Sequence, residues 1–305
     1  MRIKDKCQTS ALVSIIIPMY NRPYLIKSIW QNLSKQCYTN FEIIFVDDGS
    51  EIPIKVPSYF DLNYNLIRYG KNRGPGFARR IGRERAIGKY IAYLDSDDWW
   101  SDNFLAECAN DLFENPNVGM VYTGSSMLKD TIEIYNRTGK NIPNTILPSL
   151  FERKKRSWST SSCLWRADTS LASHWKDLRN NEDYIHDLYA SSLNNRVVYN
   201  ENALTYKNQS ASDRIERDGQ EVKKTLFELQ NINNLPNFNG ITIFILRRMY
   251  DHKIKFEFIS IFGFLRLIAK DLKIYTLDFY KYSFYFIYLN FFDGGSSKLK
   301  IYFNI

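Results

Sequence analysis

Asp95, Asp97 and Asp98 crowd three carboxylates into four residues at the end of an apolar run, Tyr90-Ile-Ala-Tyr-Leu-Asp-Ser-Asp-Asp-Trp-Trp100. Carboxylates this close repel one another, and each is costly to desolvate unless positive charge sits among them. The spacing therefore predicts a bound divalent cation. Hard oxygen ligands suit Mn²⁺ or Mg²⁺, and Mg²⁺ in particular binds through one or two carboxylates and takes the rest of its shell from water and substrate phosphates. Two further acidic pairs, Asp47-Asp48 and Glu182-Asp183, lie far away along the chain.

The elements around these residues say how they could meet. Residues 13–18 and 41–46 are continuously apolar and β-prone, as buried parallel strands are. Residues 65–69, 90–94 and 119–122 read as further strands, and 159–166 as a return strand. Helical spacing covers residues 24–35, 77–87, 103–113 and 182–191. Strands alternating with helices predict an α/β fold, a doubly wound and mostly parallel sheet. Ligands of such sheets bind beyond the carboxyl ends of the strands. Pro18, Tyr20, Asn21 and Arg22 fall on that edge after the first strand, Asp47 and Asp48 after the second, and Asp95 to Asp98 after the fourth. Residues 125–156 read as an irregular excursion.

Each piece alone also has a plainer reading. Asp47-Asp48-Gly49-Ser50 suits a simple turn. The Asp95–Asp98 cluster suits the N-terminal cap of the helix that follows. Asp183 suits a solvated first-turn position, and Gly74-Pro75-Gly76 is by itself a weak phosphate-loop signal. His186 reads as a solvated surface histidine, and Arg153-Lys-Lys-Arg156 as a solvated basic loop.

Length and composition bound the rest. With 305 residues and 44% hydrophobic content, the chain has room for one large domain and an appendage. A net charge of +8 suits an anionic partner: nucleic acid, an acidic lipid surface or a phosphorylated substrate. The four cysteines show no metal or disulfide spacing, so reduced thiols in a cytosolic compartment are expected. The first ten residues lack the apolar core of a signal peptide. From Glu221 onward the character changes: 12 Lys/Arg stand against 7 Asp/Glu, and 10 of the 18 residues from Tyr275 to Phe292 are aromatic. The expected division is a catalytic domain over 1–218 and a helical, aromatic-basic extension over 219–305. Such a tail suits an anionic membrane surface, because aromatics favour the water–lipid boundary and cations favour acidic headgroups. The longest uncharged aromatic run is too short to span a bilayer.

Taken in order, Ser14-Ile-Ile-Ile-Pro-Met-Tyr-Asn-Arg22, Val46-Asp-Asp-Gly-Ser50, Asn72-Arg-Gly74 followed by Ala78-Arg79, Leu94-Asp-Ser-Asp-Asp98 and Asn181-Glu-Asp183 carry a resemblance. They are similar to the successive motifs of family 2 glycosyltransferases, inverting enzymes of the GT-A fold, over about residues 12–210. The resemblance implies a UDP-sugar donor held by Pro18, Tyr20, Asn21, Arg22, Asp47, Asp48, Gly74, Arg79, Asp95 and Ser96. It implies a metal, Mn²⁺ or Mg²⁺, on Asp97 with Asp95, and Asp98 as an extra ligand or a support. It makes Asp183 the general base, with Glu182 orienting it or touching the acceptor. One base and in-line attack invert the anomeric centre, so an α-linked donor gives a β-linked product. Similar bacterial enzymes build O-antigen or capsule on a polyprenyl-diphosphate-linked saccharide, which implies a cytoplasmic enzyme peripheral to the inner face of the membrane and no nucleic-acid partner. Two departures stand out. Arg80 replaces a frequent asparagine, and Tyr206-Lys-Asn-Gln-Ser210 lacks the histidine often found after the Glu-Asp pair.

Other readings are less well supplied. A nucleotidyltransferase needs a glycine- and lysine-rich phosphate loop on the first strand, which Pro18 to Arg22 does not provide. A nicotinamide enzyme needs a Gly-x-Gly-x-x-Gly turn there. A non-catalytic basic module on a transferase fold predicts loss of the carboxylates, yet Asp48, Asp95, Asp97 and Asp183 are present.

Overall fold

The computed structural model describes residues 8–129, 132–137, 142–147, 149–152 and 156–208, with positions 224, 225 and 228 beyond them. The chain divides into two units, Met1–Ile215 and Glu216–Ile305. The aromatic-basic stretch and its expected membrane surface lie outside the described residues. Among the described residues, no helix is long and apolar enough to cross a membrane.

Four strands form the parallel half of the sheet. They are β1 (Val13–Met19), β2 (Phe41–Asp48), β3 (Tyr64–Tyr69) and β4 (Tyr90–Tyr93), in the order β3-β2-β1-β4. Ile15, Ile16 and Ile17 of β1 are all fully buried, so both faces of that strand are covered. This explains why its sequence is continuously apolar instead of alternating. Helices α1 (Ile26–Leu33), α2 (Pro75–Arg85) and α3 (Phe104–Glu114) occupy the spans their spacing predicted, within two or three residues at each end.

Beyond β4 the sheet becomes mixed. β8 (Cys163–Arg166) pairs antiparallel with β4, β6 (Met120–Lys129) antiparallel with β8, and β9 (Val197–Asn208) parallel with β6. β5 (Asp98–Trp100) closes this end antiparallel to β9, and β7 (Ile132–Arg137) pairs with β6. The stretch expected to be irregular therefore carries the second half of β6 and its return strand β7. A four-residue helix, α4 (Ser149–Glu152), follows, and α5 (Glu182–Leu193) leads into β9.

The consequence for the site is a crossing. Residues 94–97 carry the chain from the end of β4 to β5, and hence from the parallel half to the mixed half of one sheet. The Asp98 N–H donates to the Asp95 carbonyl at 2.9 Å and makes the turn. Asp98 itself lies in β5, and the N-terminal cap of α3 is Asn103, so the cluster is not the cap of that helix. Buried aromatics anchor the far side of the crossing. Trp100 stacks on Phe104 with ring centroids 4.4 Å apart, and its indole N–H donates to the Ser161 carbonyl at 2.6 Å.

The start of α2 is pressed against the segment 176–178 that precedes α5. The Gly76 N–H donates to the Leu178 carbonyl at 3.3 Å. A Cβ at Gly76 would stand 2.0 Å from the Lys176 carbonyl oxygen, so only glycine lets these backbones approach this closely.

Candidate active site

The loops after β1 and β2 are stapled together. Asn21 has φ 52°, in the left-handed region that asparagine tolerates. Its N–H donates to Ser50 Oγ and its Oδ1 accepts the Glu51 N–H, both at 2.9 Å. Asp47 is fully buried and accepts the N–H groups of Ser50 and Ile54 at 3.0 and 3.2 Å. Its carboxylate is thus built into the loop. Asp48 accepts the Arg73 N–H and, at 2.7 Å, the Gly74 N–H, which sets the loop after β3. Burial pushes the Asp48 carboxyl above its ordinary range, while those N–H donors and the nearby Arg179 and Arg73 charges pull against the shift. Gly74 has φ 101°, a conformation a side chain would strain. Pro18 is half-buried at the end of β1, and Tyr20 beside it is 42% exposed.

At the crossing, protein cations meet each carboxylate. Arg79 Nη2 lies 2.6 Å from Asp95 Oδ1, Arg22 Nη1 3.0 Å from Asp97 Oδ2, and Lys207 Nζ 3.0 Å from Asp98 Oδ2. Arg22 Nη1 also donates to Ser96 Oγ at 3.4 Å, and Ser161 Oγ donates to Asp98 Oδ2 at 2.6 Å. Burial raises the Asp95 carboxyl, but Arg79, with Lys207 and Arg22, outweighs it and holds the group below its usual value. Asp98 is pushed up to about 6, first by burial and then by Asp95 and Asp97, against the pull of Lys207. Lys207, from the Tyr206–Ser210 stretch that lacks a histidine, therefore belongs to this cluster. Arg80, the other departure, instead pairs with Asp177 at 3.1 Å and Glu84 at 3.0 Å.

Among the described residues no group of three or more His, Cys, Asp or Glu could hold a metal ion by itself. Asp95 and Asp97 each engage a protein cation through one oxygen, which leaves the opposite oxygen of each carboxylate outside those ion pairs. One or two carboxylate oxygens suit a cation that brings its remaining ligands with it, as a diphosphate does.

Arg79 joins the crossing to α5. Its guanidinium is buried, with Nη1 2.8 Å from Glu182 Oε1 and Nη2 on Asp95. It lies 5.0 Å from the Trp175 ring centroid, and its buried Nε has no hydrogen-bond partner among the described residues. Burial alone would weaken its hold on the proton, but Asp95 and Glu182 reverse that and keep it firmly charged. The Glu182 carboxyl is pushed up to about 7 by burial and by Asp183, with Arg79 opposing. Asp183 sits beside it, with its side chain 27% exposed and paired to the Arg156 guanidinium.

Two expectations are overturned here. His186 is buried rather than solvated, 1% exposed between Tyr93, Trp165 and Trp175, because its face of α5 packs on the sheet. Arg156 does not belong to a solvated loop; it is buried against Asp183 and Asp187, and residues 153–155 lie outside the described residues. Arg156 was placed in the sequence only as part of the basic run, and Ser161 was not singled out. The one signal for Arg156 was its place two residues before Trp158, at the end of the basic run.

Arg79→Met should leave Asp95 and Glu182 facing each other without their shared cation. The expected loss is about 3 kcal/mol, the lower end for breaking a buried pair because Asp95 keeps some water contact. All six tryptophans fall between residues 30 and 175, so denaturant unfolding followed by tryptophan fluorescence reads this unit. An unchanged midpoint would remove Arg79 as a structural tie.

Comparison with known proteins gives one family. Residues 14–165 match the model for Glycosyl transferase family 2. An uncharacterized glycosyltransferase of Haemophilus influenzae is 30% identical over 111 residues, 36% of this chain and 38% of that protein. WfgD of Escherichia coli, a UDP-Glc:alpha-D-GlcNAc-diphosphoundecaprenol beta-1,3-glucosyltransferase, is 34% identical over 113 residues, 36% of this chain and 44% of that protein. The chain thus aligns with less than half the length of either relative. Among solved structures, S. aureus TarS 1–349 in complex with UDP superposes with a TM-score of 0.58 at 21% identity, over 78% of this chain and 72% of that one. The mannosyltransferase PcManGT of Pyrobaculum calidifontis, in complex with GDP-Man and Mn²⁺, gives 0.52 at 14% identity, over 94% and 89%. Both likenesses are likenesses of fold.

Proposed function

The chain belongs to glycosyl transferase family 2, and from that premise we propose that it moves a hexose from a UDP-sugar to a hydroxyl of a lipid-diphosphate-linked saccharide, inverting the anomeric centre to a β-linkage. The single observation that carries this reading is the guanidinium of Arg79 clamped between Asp95 and Glu182. It ties the carboxylate cluster suited to a nucleoside diphosphate to the acidic pair suited to activating a hydroxyl. The activity of the E. coli relative supports the donor and acceptor class, and the TarS complex supports a uridine nucleotide. Surface-polysaccharide synthesis, O-antigen or capsule, is the process such an acceptor implies, with the enzyme working on the cytoplasmic face of the membrane.

The roles follow from position. Tyr20 offers a ring to the base, and Asp48 holds the loop after β3 that would close on the nucleotide. Arg22 and Arg79 present fixed positive charge beside Ser96, Asp95 and Asp97, where a diphosphate would lie. A divalent cation, Mn²⁺ or Mg²⁺, held by Asp97 and Asp95 would supply Lewis-acid stabilisation of the leaving diphosphate. Asp183 accepts the proton of the attacking hydroxyl, a contribution of about 10²–10⁴-fold for a well-placed general base. Glu182, locked by Arg79, orients the acceptor beside it.

The test is a hydrolysis and transfer screen of sugar nucleotides with Mn²⁺ or Mg²⁺ and a polyprenyl-diphosphate sugar acceptor. Transfer from no UDP-sugar to any such acceptor would sink the reading. In the same assay Asp183→Asn should lower kcat by about 10²–10⁴-fold while UDP affinity holds. Full turnover in that variant removes Asp183 as the base. Asp97→Asn should weaken UDP binding only when Mn²⁺ is present. Equal affinity in both proteins across a Mn²⁺ titration would strip Asp97 of its metal.

Glu182 predicts a pH profile. Its carboxyl must be ionised to hold both Arg79 and the acceptor, and it titrates near 7. kcat/KM should therefore fall as pH is lowered through about 7. Glu182→Gln should show the depressed low-pH rate across the whole range. A limb that persists in the variant belongs to another group.

A further inference from the structure

We infer that Arg156 is the positioning residue of Asp183, the buried end of a polar assembly that aims the proposed base; this rests on reading Asp183 as that base. Asp183 and Asp187 stand four residues apart on α5, and so on one face of the helix. A single guanidinium grips both. Arg156 Nη1 pairs with Asp183 Oδ2, and Nη2 lies 2.8 Å from Asp187 Oδ2. Nη1 also donates to Thr160 Oγ1 at 3.2 Å.

The assembly grades from rigid to exposed. Asp187 is fully buried, Arg156 is 6% exposed, and the Asp183 side chain is 27% exposed. Behind Arg156, Asp187 accepts the Trp158 indole N–H at 2.7 Å and lies 3.1 Å from His186 Nδ1. His186 Nε2 is 2.8 Å from Ser170 Oγ, which is 2.7 Å from the Tyr93 hydroxyl on β4. Contacts therefore run unbroken from Asp183 back to the strand that leads into Asp95. In front, the Arg156 N–H donates to the Tyr184 hydroxyl at 3.1 Å, and the Tyr184 N–H donates to Asp183 Oδ1 at 2.9 Å.

An ion pair needed only for packing would be complete with Arg156 and Asp187. The second arm instead reaches the one carboxylate of the three groups that faces solvent. A planar guanidinium spans two carboxylates in fixed geometry, which a lysine ammonium on a flexible stem cannot do. Without that fork the Asp183 side chain keeps only the Tyr184 N–H on Oδ1, and Oδ2 can swing away from an incoming hydroxyl. A misplacement of about 1 Å can cost about 10²-fold in rate.

The experiment is a double-mutant cycle on the full chain, with UDP affinity as the control for folding. Arg156→Lys should lower kcat for transfer by about 10–100-fold with KM for the donor and UDP affinity unchanged. In an Asp183→Asn background the same substitution should change kcat by less than about twofold, because it acts only through Asp183. Should Arg156→Lys lose UDP binding, Trp158→Phe, which removes one donor to Asp187, takes its place with the same two expectations. Wild-type kcat in these variants, or an equal loss in the Asp183→Asn background, overturns the role of Arg156. Normal turnover by Asp183→Asn alone would instead overturn the base on which the inference rests, so the two failures are told apart.

Discussion

A guanidinium buried between two carboxylates from distant parts of the chain organises this site. Arg79 rises from α2, and its two terminal nitrogens meet Asp95 after β4 and Glu182 at the start of α5. Taking such a charge out of water costs several kcal/mol, and only partners at hydrogen-bonding distance offset that cost. The three elements are therefore held in one relative placement. Gly76 matters for the same reason, since α2 must come within backbone contact of residues 176–178 for Arg79 to reach both partners.

Charge balance follows from this arrangement. Asp95, Asp97, Asp98 and Glu182 face Arg79, Arg22 and Lys207, one carboxylate more than there are cations. Burial is the first reason the two most enclosed carboxyls hold protons more tightly: Asp98 is pushed up to about 6, with Asp95 and Asp97 adding to it, and Glu182 to about 7, with Asp183 adding to it. Asp95, with a cation against it, shifts the other way. A divalent cation arriving with a diphosphate would enter a cluster already nearly neutral, held on carboxylate oxygens the ion pairs do not use.

Much of the parallel half was legible in the sequence. The buried run of β1, the turn residues after β2 and the crowded aspartates after β4 are local signals, each written in a handful of adjacent residues. Topology placed Asp48, Asp95 and Asp97 at one edge, and the resemblance added Arg79, Glu182 and Asp183 to the same proposed site. The mixed half was harder to read. β6 extended past its apolar core, and β5, β7 and β9 went unread because their pairing is made with strands remote in sequence.

Types and order of residues alone pointed to the family, the sheet edge and the acidic groups proposed to do chemistry. Tertiary structure decided which charges are buried and what they face. Arg79 meets Glu182 across 103 residues, Lys207 reaches back to Asp98, and Arg156 and His186 sit inside the molecule. In a string of letters a charged side chain reads as solvated, since that is its state of lowest free energy when alone. Burial becomes favourable only where the fold sets a partner beside it, and no local pattern carries the position of a partner a hundred residues away.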